Sequence, residues 1–295
     1  MAKTLSVPDH HSILPKGTWD SHTHVVDKER FPFAVNPQYR LGRATVEDLL
    51  EFESAMGVEN VCLVAVSVYG QDNRSMFDAM RRLGSRCRAV VCLDPSTITE
   101  QELDDMHKIG VRGVRINLKT KGELPPKEVL VACLAAHAAR IRSRGWLIQL
   151  YLALEQVPLI SEIIPTLGVR VVLDHMASPD PDREASSQHG YRELLDLLRR
   201  GQVWVKISGT YRFASLPDLD VFAKSVIRAG PKNVVWASDW PHTGGPVKRV
   251  NGSWISTFRD VHDMAFVRQC FEWCDNDPVL IQDLFVNNPG RLWLD

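Results

Sequence analysis

Short runs of apolar residues alternate along the chain with longer stretches in which apolar and polar positions recur at helical spacing. The short runs are rich in β-branched residues and apolar on both faces, which is typical of parallel strands buried beneath helices. Regular alternation of strands and helices predicts a parallel sheet with helical crossovers. The predicted strands are residues 17–22, 61–68, 89–93, 111–118, 146–152, 169–174, 203–207 and 234–237.

Helices are predicted between these strands and in the C-terminal tail, at residues 45–56, 72–83, 99–108, 126–144, 155–167, 191–200, 217–229, 261–274 and 278–286. Eight strands with interleaved helices in about 250 residues are typical of an α/β fold of the (β/α)8 TIM-barrel type. A doubly wound open sheet would carry a glycine-rich phosphate turn after an early strand, and the sequence has none. We expect one domain over residues 1–295, with residues 1–16 as an N-terminal extension.

Composition narrows the range of partners. A net charge of −1 gives no basic field for nucleic acid, and no apolar run is long enough for a membrane span. The first sixteen residues lack the apolar segment of a secretory signal, and the six cysteines contain no CxxC pair. These features favour a cytoplasmic protein with free thiols, as a monomer or a homodimer.

Histidine and aspartate side chains stand at the ends of three predicted strands. His22 and His24 are two residues apart, so both point to the same face. His175 ends the sixth strand and Asp239 follows the eighth. Because the C-terminal ends of barrel strands meet in one pocket, we expect these four side chains to lie together. Alternation predicts that Asp174 faces the opposite way and is structural.

Cationic and polar side chains are predicted at the same end of the barrel. Arg115 and Asn117 share one face of the fourth strand, and Arg115 is either a clamp for a carboxylate or the partner of a neighbouring acid. A near-neutral chain that gathers cations at one mouth predicts an anionic small-molecule substrate. The cations expected there are Arg115, Lys119, Lys121, Lys206 and Arg212, with Ser67, Gln149 and Tyr151 as neutral groups.

Six motifs, taken in order, resemble the amidohydrolase superfamily, and within it the branch of 2-pyrone-4,6-dicarboxylate lactonase-like hydrolases. They are Trp19-Asp20-Ser21-His22-Thr23-His24, Arg30-Phe31-Pro32-Phe33, Gly113-Val114-Arg115-Ile116-Asn117, Leu173-Asp174-His175, Lys206-Ile207-Ser208-Gly209 and Ser238-Asp239-Trp240-Pro241-His242. The resemblance extends from residue 17 to residue 295. It implies a TIM barrel and a hydrolase of aromatic catabolism that opens a carboxylated lactone, either pyrone-like or muconolactone-like.

The resemblance also implies roles for individual residues. Asp239 would activate water, and His22, His24 and His175 would polarise the lactone carbonyl, directly or through a metal. The implied substrate-binding residues are Arg115, Arg212, Tyr39, Ser67, Tyr151, Lys121, Asn117 and His242. The chain departs from the pyrone-dicarboxylate enzymes where they carry a further arginine, because it has Lys119 and Lys121 there. Lysine lacks the planar fork of arginine, which favours a related lactone.

The cofactor and the reaction class leave alternatives open. Either no cofactor is required, or a single divalent metal such as Zn²⁺ binds His22, His24, His175 and Asp239. Two metals are not expected, because Asn117 and Gln149 stand near the places where binuclear relatives carry a lysine and a histidine. The alternatives to a lactonase of this kind are a metal-dependent non-oxidative decarboxylase of an aromatic or unsaturated carboxylate, a sugar-acid lactonase, and a barrel that binds without catalysis.

Overall fold

The computed structural model describes residues 13–35, 37, 39–119, 125–250 and 253–294. Its main sheet has eight parallel strands that pair in chain order, which confirms the predicted barrel. The strands are β1 (Trp19–Thr23), β2 (Asn60–Val64), β3 (Cys87–Val91), β4 (Val111–Asn117), β5 (Leu147–Tyr151), β6 (Val171–Leu173), β7 (Trp204–Ile207) and β8 (Val234–Trp236).

Helices cover the outside of the sheet and one of its ends. They are α1 (Val46–Met56), α2 (Arg74–Leu83), α3 (Glu100–Lys108), α4 (Lys127–Ile141), α5 (Val157–Ile160), α6 (Tyr191–Arg199), α7 (Leu219–Ala229), α8 (Asp263–Trp273), α9 (Pro278–Gln282) and α10 (Asn288–Trp293). A π-helical segment, Asp283–Asn287, joins the last two. Among the described residues, none of the helices has both the length and the apolar character needed to cross a bilayer.

The barrel closes where β1 meets the chain that follows β8. A parallel bridge pairs Thr23 with Trp240. The amide of Asp239 donates to the carbonyl oxygen of His22 at 3.0 Å, and the amide of His24 donates to that of Trp240 at 2.9 Å. The backbone hydrogen bonds that close the sheet therefore also hold His22, His24 and Asp239 next to one another.

Apolar side chains fill the lower part of the barrel interior. Trp19 and Trp204, the first residues of β1 and β7, pack there with Trp293 of α10. The indole of Trp293 donates to the hydroxyl of Ser21 at 3.1 Å. This closes the N-terminal end of the barrel and leaves the C-terminal end as the place for a site.

Two segments differ from the sequence-based prediction. The single helix expected at 155–167 is a short α5 flanked by 3₁₀ turns, because Pro165 cannot continue an α-helix. A hairpin of β9 (Val247–Val250) and β10 (Ser253–Ser256) lies outside the barrel and was not predicted. The dipeptide Asn251-Gly252 between its strands is a strong hairpin signal that could have revealed it.

Gly113 gives a test of the packing inside the barrel. A Cβ atom at this position of β4 would lie 2.7 Å from Cδ1 of Leu147 and 2.9 Å from its carbonyl oxygen. We expect Gly113→Ala to lower the free energy of unfolding by about 1–3 kcal/mol through overpacking, as measured by urea denaturation. Gly290→Ala is the control, because a Cβ there meets nothing within 4 Å. Equal stability of the two variants would contradict this account.

Candidate active site

The two histidines of β1 point into the mouth of the barrel. The register of β1 against β2 shifts between Asp20 and Thr23, which lets both imidazoles face the interior above Ser21. His22 is fully buried and His24 nearly so. Their Nε2 atoms lie 3.3 Å apart. The predicted pairing of these two side chains is present in the structure.

A backbone contact determines where His24 carries its proton. Its Nδ1 lies 2.8 Å from the carbonyl oxygen of Val64. A carbonyl oxygen can only accept, so Nδ1 carries the hydrogen and Nε2 presents a lone pair. Neutral His24 therefore cannot donate a hydrogen bond to a substrate carbonyl, and it can act on one only through a bound cation.

His175 reaches the site because the chain turns sharply after β6. Val172 points inward, and alternation then places Asp174 inward too. The residues His175, Met176, Ala177 and Ser178 all have positive φ, and this turn also brings the His175 ring inward. The expectation that Asp174 faces away is wrong, since its Oδ1 lies 3.2 Å from Nδ1 of His22.

The carboxylate of Asp239 stands among the three imidazoles. Its Oδ1 is 3.7 Å from Nε2 of both His22 and His24. Its Oδ2 is 3.8 Å from Nε2 of His175. The structure thus brings together all four predicted catalytic residues, although they come from the ends of three strands that are far apart in sequence.

The two oxygens of Asp239 have different surroundings. Oδ2 accepts hydrogen bonds from the Tyr211 hydroxyl at 2.7 Å and from Nε and Nη2 of Arg212 at 3.0 and 2.9 Å. Oδ1 is buried and has no hydrogen-bond partner in the described part of the chain. Only Oδ1 is therefore free to accept a proton or to bind a cation.

The pKa values of Asp239 and the three histidines are all shifted downward by their surroundings. Burial raises the pKa of Asp239, but Arg212 and the three histidines outweigh burial and hold it well below its usual range. Burial lowers the pKa of His24 and of His175 to about 4, and that of His22 is also well below its ordinary value. The site therefore holds one carboxylate and three neutral imidazoles.

The loop after β7 positions much of the cluster. Ser208 places its hydroxyl 2.9 Å from Nδ1 of His175. Gly209 has a φ of +61°, and a Cβ there would lie 2.7 Å from Nδ1 of His175 and 3.3 Å from Oδ2 of Asp239. Glycine is required because the backbone passes close to both groups. Tyr211, which the sequence-based site does not include, follows two residues later; only its closeness to Arg212 could have pointed to it.

A cavity of about 230 Å³ opens above the cluster. Asp239, His24 and His175 line it, whereas His22 lies behind them. The other lining residues are Tyr39, Val66, Ser67, Arg115, Asn117, Tyr151, Arg212, Thr243, Gly244 and Ser256. This volume suits a single small ring with substituents.

The predicted substrate-binding residues that the structure describes line this cavity, with the exception of His242. Tyr39, Ser67, Tyr151 and Asn117 line it, and the amide of Asn117 donates to the hydroxyl of Ser67 at 2.9 Å. Nε2 of His242 instead pairs with Oδ1 of Asp263 at 3.0 Å, and His242 does not line the cavity. Lys121 lies outside the described residues.

The cations divide between the cavity and the protein interior. Arg115 lines the cavity, and its Nη1 donates to the carbonyl oxygen of Ala65 at 2.6 Å. Its buried Nε has no hydrogen bond among the described residues but lies 3.9 Å from Oδ2 of Asp174, so Arg115 is also the partner of a neighbouring acid. Lys119 donates to the carbonyl oxygen of Ser178 at 3.0 Å. The expectation that Lys206 stands at the mouth is wrong. It is fully buried one layer below, because its position lies within β7 rather than after it.

The same donor atoms fit one divalent metal. Nitrogen ligands of a tetrahedral Zn²⁺ are about 2.0–2.1 Å from the ion and hence about 3.3–3.4 Å from each other. The 3.3 Å between the Nε2 atoms of His22 and His24 matches this spacing. His22, His175 and Asp239 offer ligand atoms within 4.8 Å of one another. Nε2 of His24 lies beside this group, 3.3 Å from Nε2 of His22 and 3.7 Å from Oδ1 of Asp239.

Comparison with known proteins agrees with this geometry. Over 244 residues the chain is 32% identical to a 2-pyrone-4,6-dicarboxylate hydrolase of Comamonas testosteroni, covering 78% of each protein. It is 27% identical over 247 residues to a 4-sulfomuconolactone hydrolase of Hydrogenophaga intermedia, covering 80% of each. A Pseudomonas putida structure described as a 2-pyrone-4,6-dicarboxylic acid hydrolase superposes with a TM-score of 0.75 at 29% identity, covering 95% of this chain and 98% of that one.

The family model for amidohydrolases matches residues 19–293, which include every strand of the barrel and all four residues of the central cluster. The resemblance inferred from six short motifs therefore extends over nearly the whole chain. This protein belongs to the amidohydrolase family.

Proposed function

We propose that the chain hydrolyses a small lactone that carries at least one acidic group. The observation that carries this proposal is the free Oδ1 of Asp239, which faces a small cavity beside three neutral imidazoles and the guanidinium groups of Arg115 and Arg212. Relatives that match about four fifths of the chain are named as hydrolases of a pyrone dicarboxylate and of a sulfomuconolactone, which supports the same class of substrate.

The reaction begins with substrate binding. An acidic group on the ring binds to guanidinium N–H groups at the cavity wall, Arg115 being the guanidinium that is not hydrogen-bonded to the catalytic carboxylate. Tyr39, Tyr151 and Ser67 line the same cavity and supply neutral polar contacts. These interactions place the lactone carbonyl over the cluster, where proximity contributes to the rate.

Asp239 then acts as a general base. Its Oδ1 takes a proton from water while the water oxygen attacks the carbonyl carbon. The ring C–O bond breaks in the next step, and the proton returns from Asp239 to the departing ring oxygen, which gives an open-chain acid. Oδ2 stays bound to Tyr211 and Arg212 throughout, so the carboxylate keeps its orientation.

The oxyanion needs a donor or a cation beside it. His175 can present an Nε2–H group if the Ser208 hydroxyl donates to its Nδ1, since a hydroxyl can take either role. A divalent ion held by His22, His24, His175 and Asp239 would supply Lewis-acid polarisation of the carbonyl. Preorganised stabilisation of this kind is worth a few kcal/mol for each group.

The reaction class can be tested by incubating the purified protein with carboxylated pyrones, muconolactones and sugar-acid lactones, with and without a chelator. We expect acid release and loss of the ring from a carboxylated pyrone or muconolactone. Release of CO₂ with an intact ring would identify a decarboxylase instead. Turnover of the sugar-acid lactones alone would replace the proposed substrate class.

Replacing the base gives the most direct prediction. We expect Asp239→Asn to lower kcat by about a thousandfold or more, because an amide cannot take up the proton. Asp283→Asn is the matched control, since Asp283 is also a buried carboxylate paired with a cation but stands far from the cavity in the π-helical segment. Near-normal kcat in Asp239→Asn, measured on protein with an unchanged circular dichroism spectrum, would reject the assignment.

The pH dependence follows from the direction of the pKa shifts. Asp239 must be ionised and the imidazoles neutral, and both conditions hold at neutral pH. As pH falls through about 4, His24 and His175 take up protons. We therefore expect kcat/KM to be flat between about pH 6 and 8 and to fall to about a quarter near pH 4, since both histidines must be neutral. An acid limb near the ordinary histidine pKa of 6.5 would contradict this environment.

Metal binding is predicted by the donor geometry. Chelator-treated protein should take up one Zn²⁺ per chain, as measured by isothermal titration and elemental analysis. His24→Gln should weaken the affinity for Zn²⁺ by at least about a hundredfold. That is the upper end of the loss seen when a residue that only hydrogen-bonds to a metal ligand is replaced. His137→Gln, on α4 and hydrogen-bonded to the carbonyl oxygen of Cys133 in the same helix, should leave the affinity unchanged. Absence of stoichiometric uptake would show that the cluster does not hold an ion.

A further inference from the structure

Three polar side chains lie beneath His22, inside the barrel and outside the cavity. Gln149 on β5, Asp174 after β6 and Lys206 on β7 are each fully buried. None of them lines the cavity, so none can contact a substrate. Burying a carboxylate and an ammonium together usually gains little stability compared with apolar side chains of similar volume. Their presence so close to the cluster therefore calls for another explanation.

Hydrogen bonds arrange these side chains in one order. Lys206 Nζ donates to Oε1 of Gln149 at 2.7 Å, which fixes the Gln149 amide because an ammonium can only donate. Nε2 of Gln149 then donates to Oδ2 of Asp174 at 3.0 Å. This leaves Oδ1 of Asp174 facing Nδ1 of His22 at 3.2 Å. Lys206 Nζ lies 3.6 Å from the same oxygen.

The neighbours of His22 allow two tautomers of its neutral ring. Either Nδ1 donates to Asp174, or Nδ1 accepts from Lys206 at 3.3 Å and Nε2–H points to Nε2 of His24. The first places an N–H group 3.2 Å from Oδ1 of Asp174, a buried carboxylate oxygen that has no hydrogen-bond partner in the described part of the chain. The second leaves that oxygen unpaired, which is costly for a charged group. Lys206 meanwhile has Gln149 as its acceptor in either case.

We propose that Asp174, oriented by Gln149 and Lys206, is a positioning residue that keeps the proton of His22 on Nδ1 and turns its Nε2 lone pair towards Asp239 and His24. The inference rests on the proposed function and extends it, because it explains why Nε2 of His22 is a hydrogen-bond acceptor. With His24 fixed in the same way by the carbonyl of Val64, both histidines of β1 present lone pairs to one point. Carboxylate partners commonly fix histidine tautomers in this manner.

Histidine-selective ¹⁵N NMR of chelator-treated protein near pH 7.5 tests the proposal without substrate. The His22 signals, assigned by their loss in His22→Gln, should show hydrogen on Nδ1 and an unprotonated Nε2. An Nε2–H tautomer in the wild-type protein would overturn the proposal. Because this readout needs no turnover, it separates failure of the positioning role from failure of the proposed lactonase activity.

Asp174→Asn should reverse the tautomer. Gln149 still donates to the position that Oδ2 of Asp174 occupies in the wild-type protein, so the amide oxygen of the new side chain takes that position. The NH₂ group of the new side chain then faces Nδ1 of His22. Nδ1 must then accept, which moves the proton to Nε2. We expect kcat to fall by about 10–100-fold with KM changed by less than about threefold, since residue 174 does not touch the cavity.

Lys206→Met is the matched control because it breaks the same buried ion pair. Asp174 remains as the acceptor for Nδ1, so the Nδ1–H tautomer should persist even though the variant is less stable. Identical tautomers in Asp174→Asn and Lys206→Met would show that the network is only structural. If Lys206→Met does not fold, the wild-type spectrum and Asp174→Asn still decide the question.

Discussion

Among the described residues, Asp239 accepts three hydrogen bonds on Oδ2 and none on Oδ1, and the site is built around this difference. The donors on Oδ2 favour the ionised carboxylate, and the lack of donors on Oδ1 in the part of the chain that the structure describes leaves that oxygen able to accept a proton. The amide of Asp239 is itself bonded to His22, within the closure of the barrel. The base and the histidines of β1 therefore cannot shift independently without opening the sheet.

This arrangement explains why several charges are buried so close together. Arg212 neutralises Asp239 on one side of the cluster, and Lys206 neutralises Asp174 on the other. Each buried charge has an opposite charge within 4 Å and hydrogen bonds to neutral groups, which limits the desolvation cost. The imidazoles between the two pairs stay neutral because burial lowers their pKa values. Neutral imidazoles can serve as acceptors, which charged ones cannot.

The sequence predicted the parts of this molecule that depend on periodicity. The alternation of apolar runs with amphipathic stretches predicts the barrel. The positions of His22, His24, His175 and Asp239 at predicted strand ends predict that they lie together. Periodicity reports which face a side chain takes but not how deep it lies, so Lys206 was placed at the mouth although it is buried a layer below. It also fails where the backbone leaves the strand, as at His175, whose positive φ brings its ring inward beside Asp174. Which ring nitrogen of a histidine carries the hydrogen depends on neighbours such as the carbonyl of Val64, and the sequence pattern does not predict it.

The corrected position of Lys206 changes the expected substrate chemistry. Five cations were expected at the mouth, whereas the guanidinium groups that line the described cavity are those of Arg115 and Arg212. Arg212 donates two hydrogen bonds to Asp239, so a substrate that drew it away would also loosen the base. Arg115 lines the cavity without an ion pair to Asp239; its buried Nε lies 3.9 Å from Oδ2 of Asp174 instead. In the proposed reaction, selection for an acidic lactone therefore rests mainly on Arg115, and binding there leaves the hydrogen bonds of Asp239 in place.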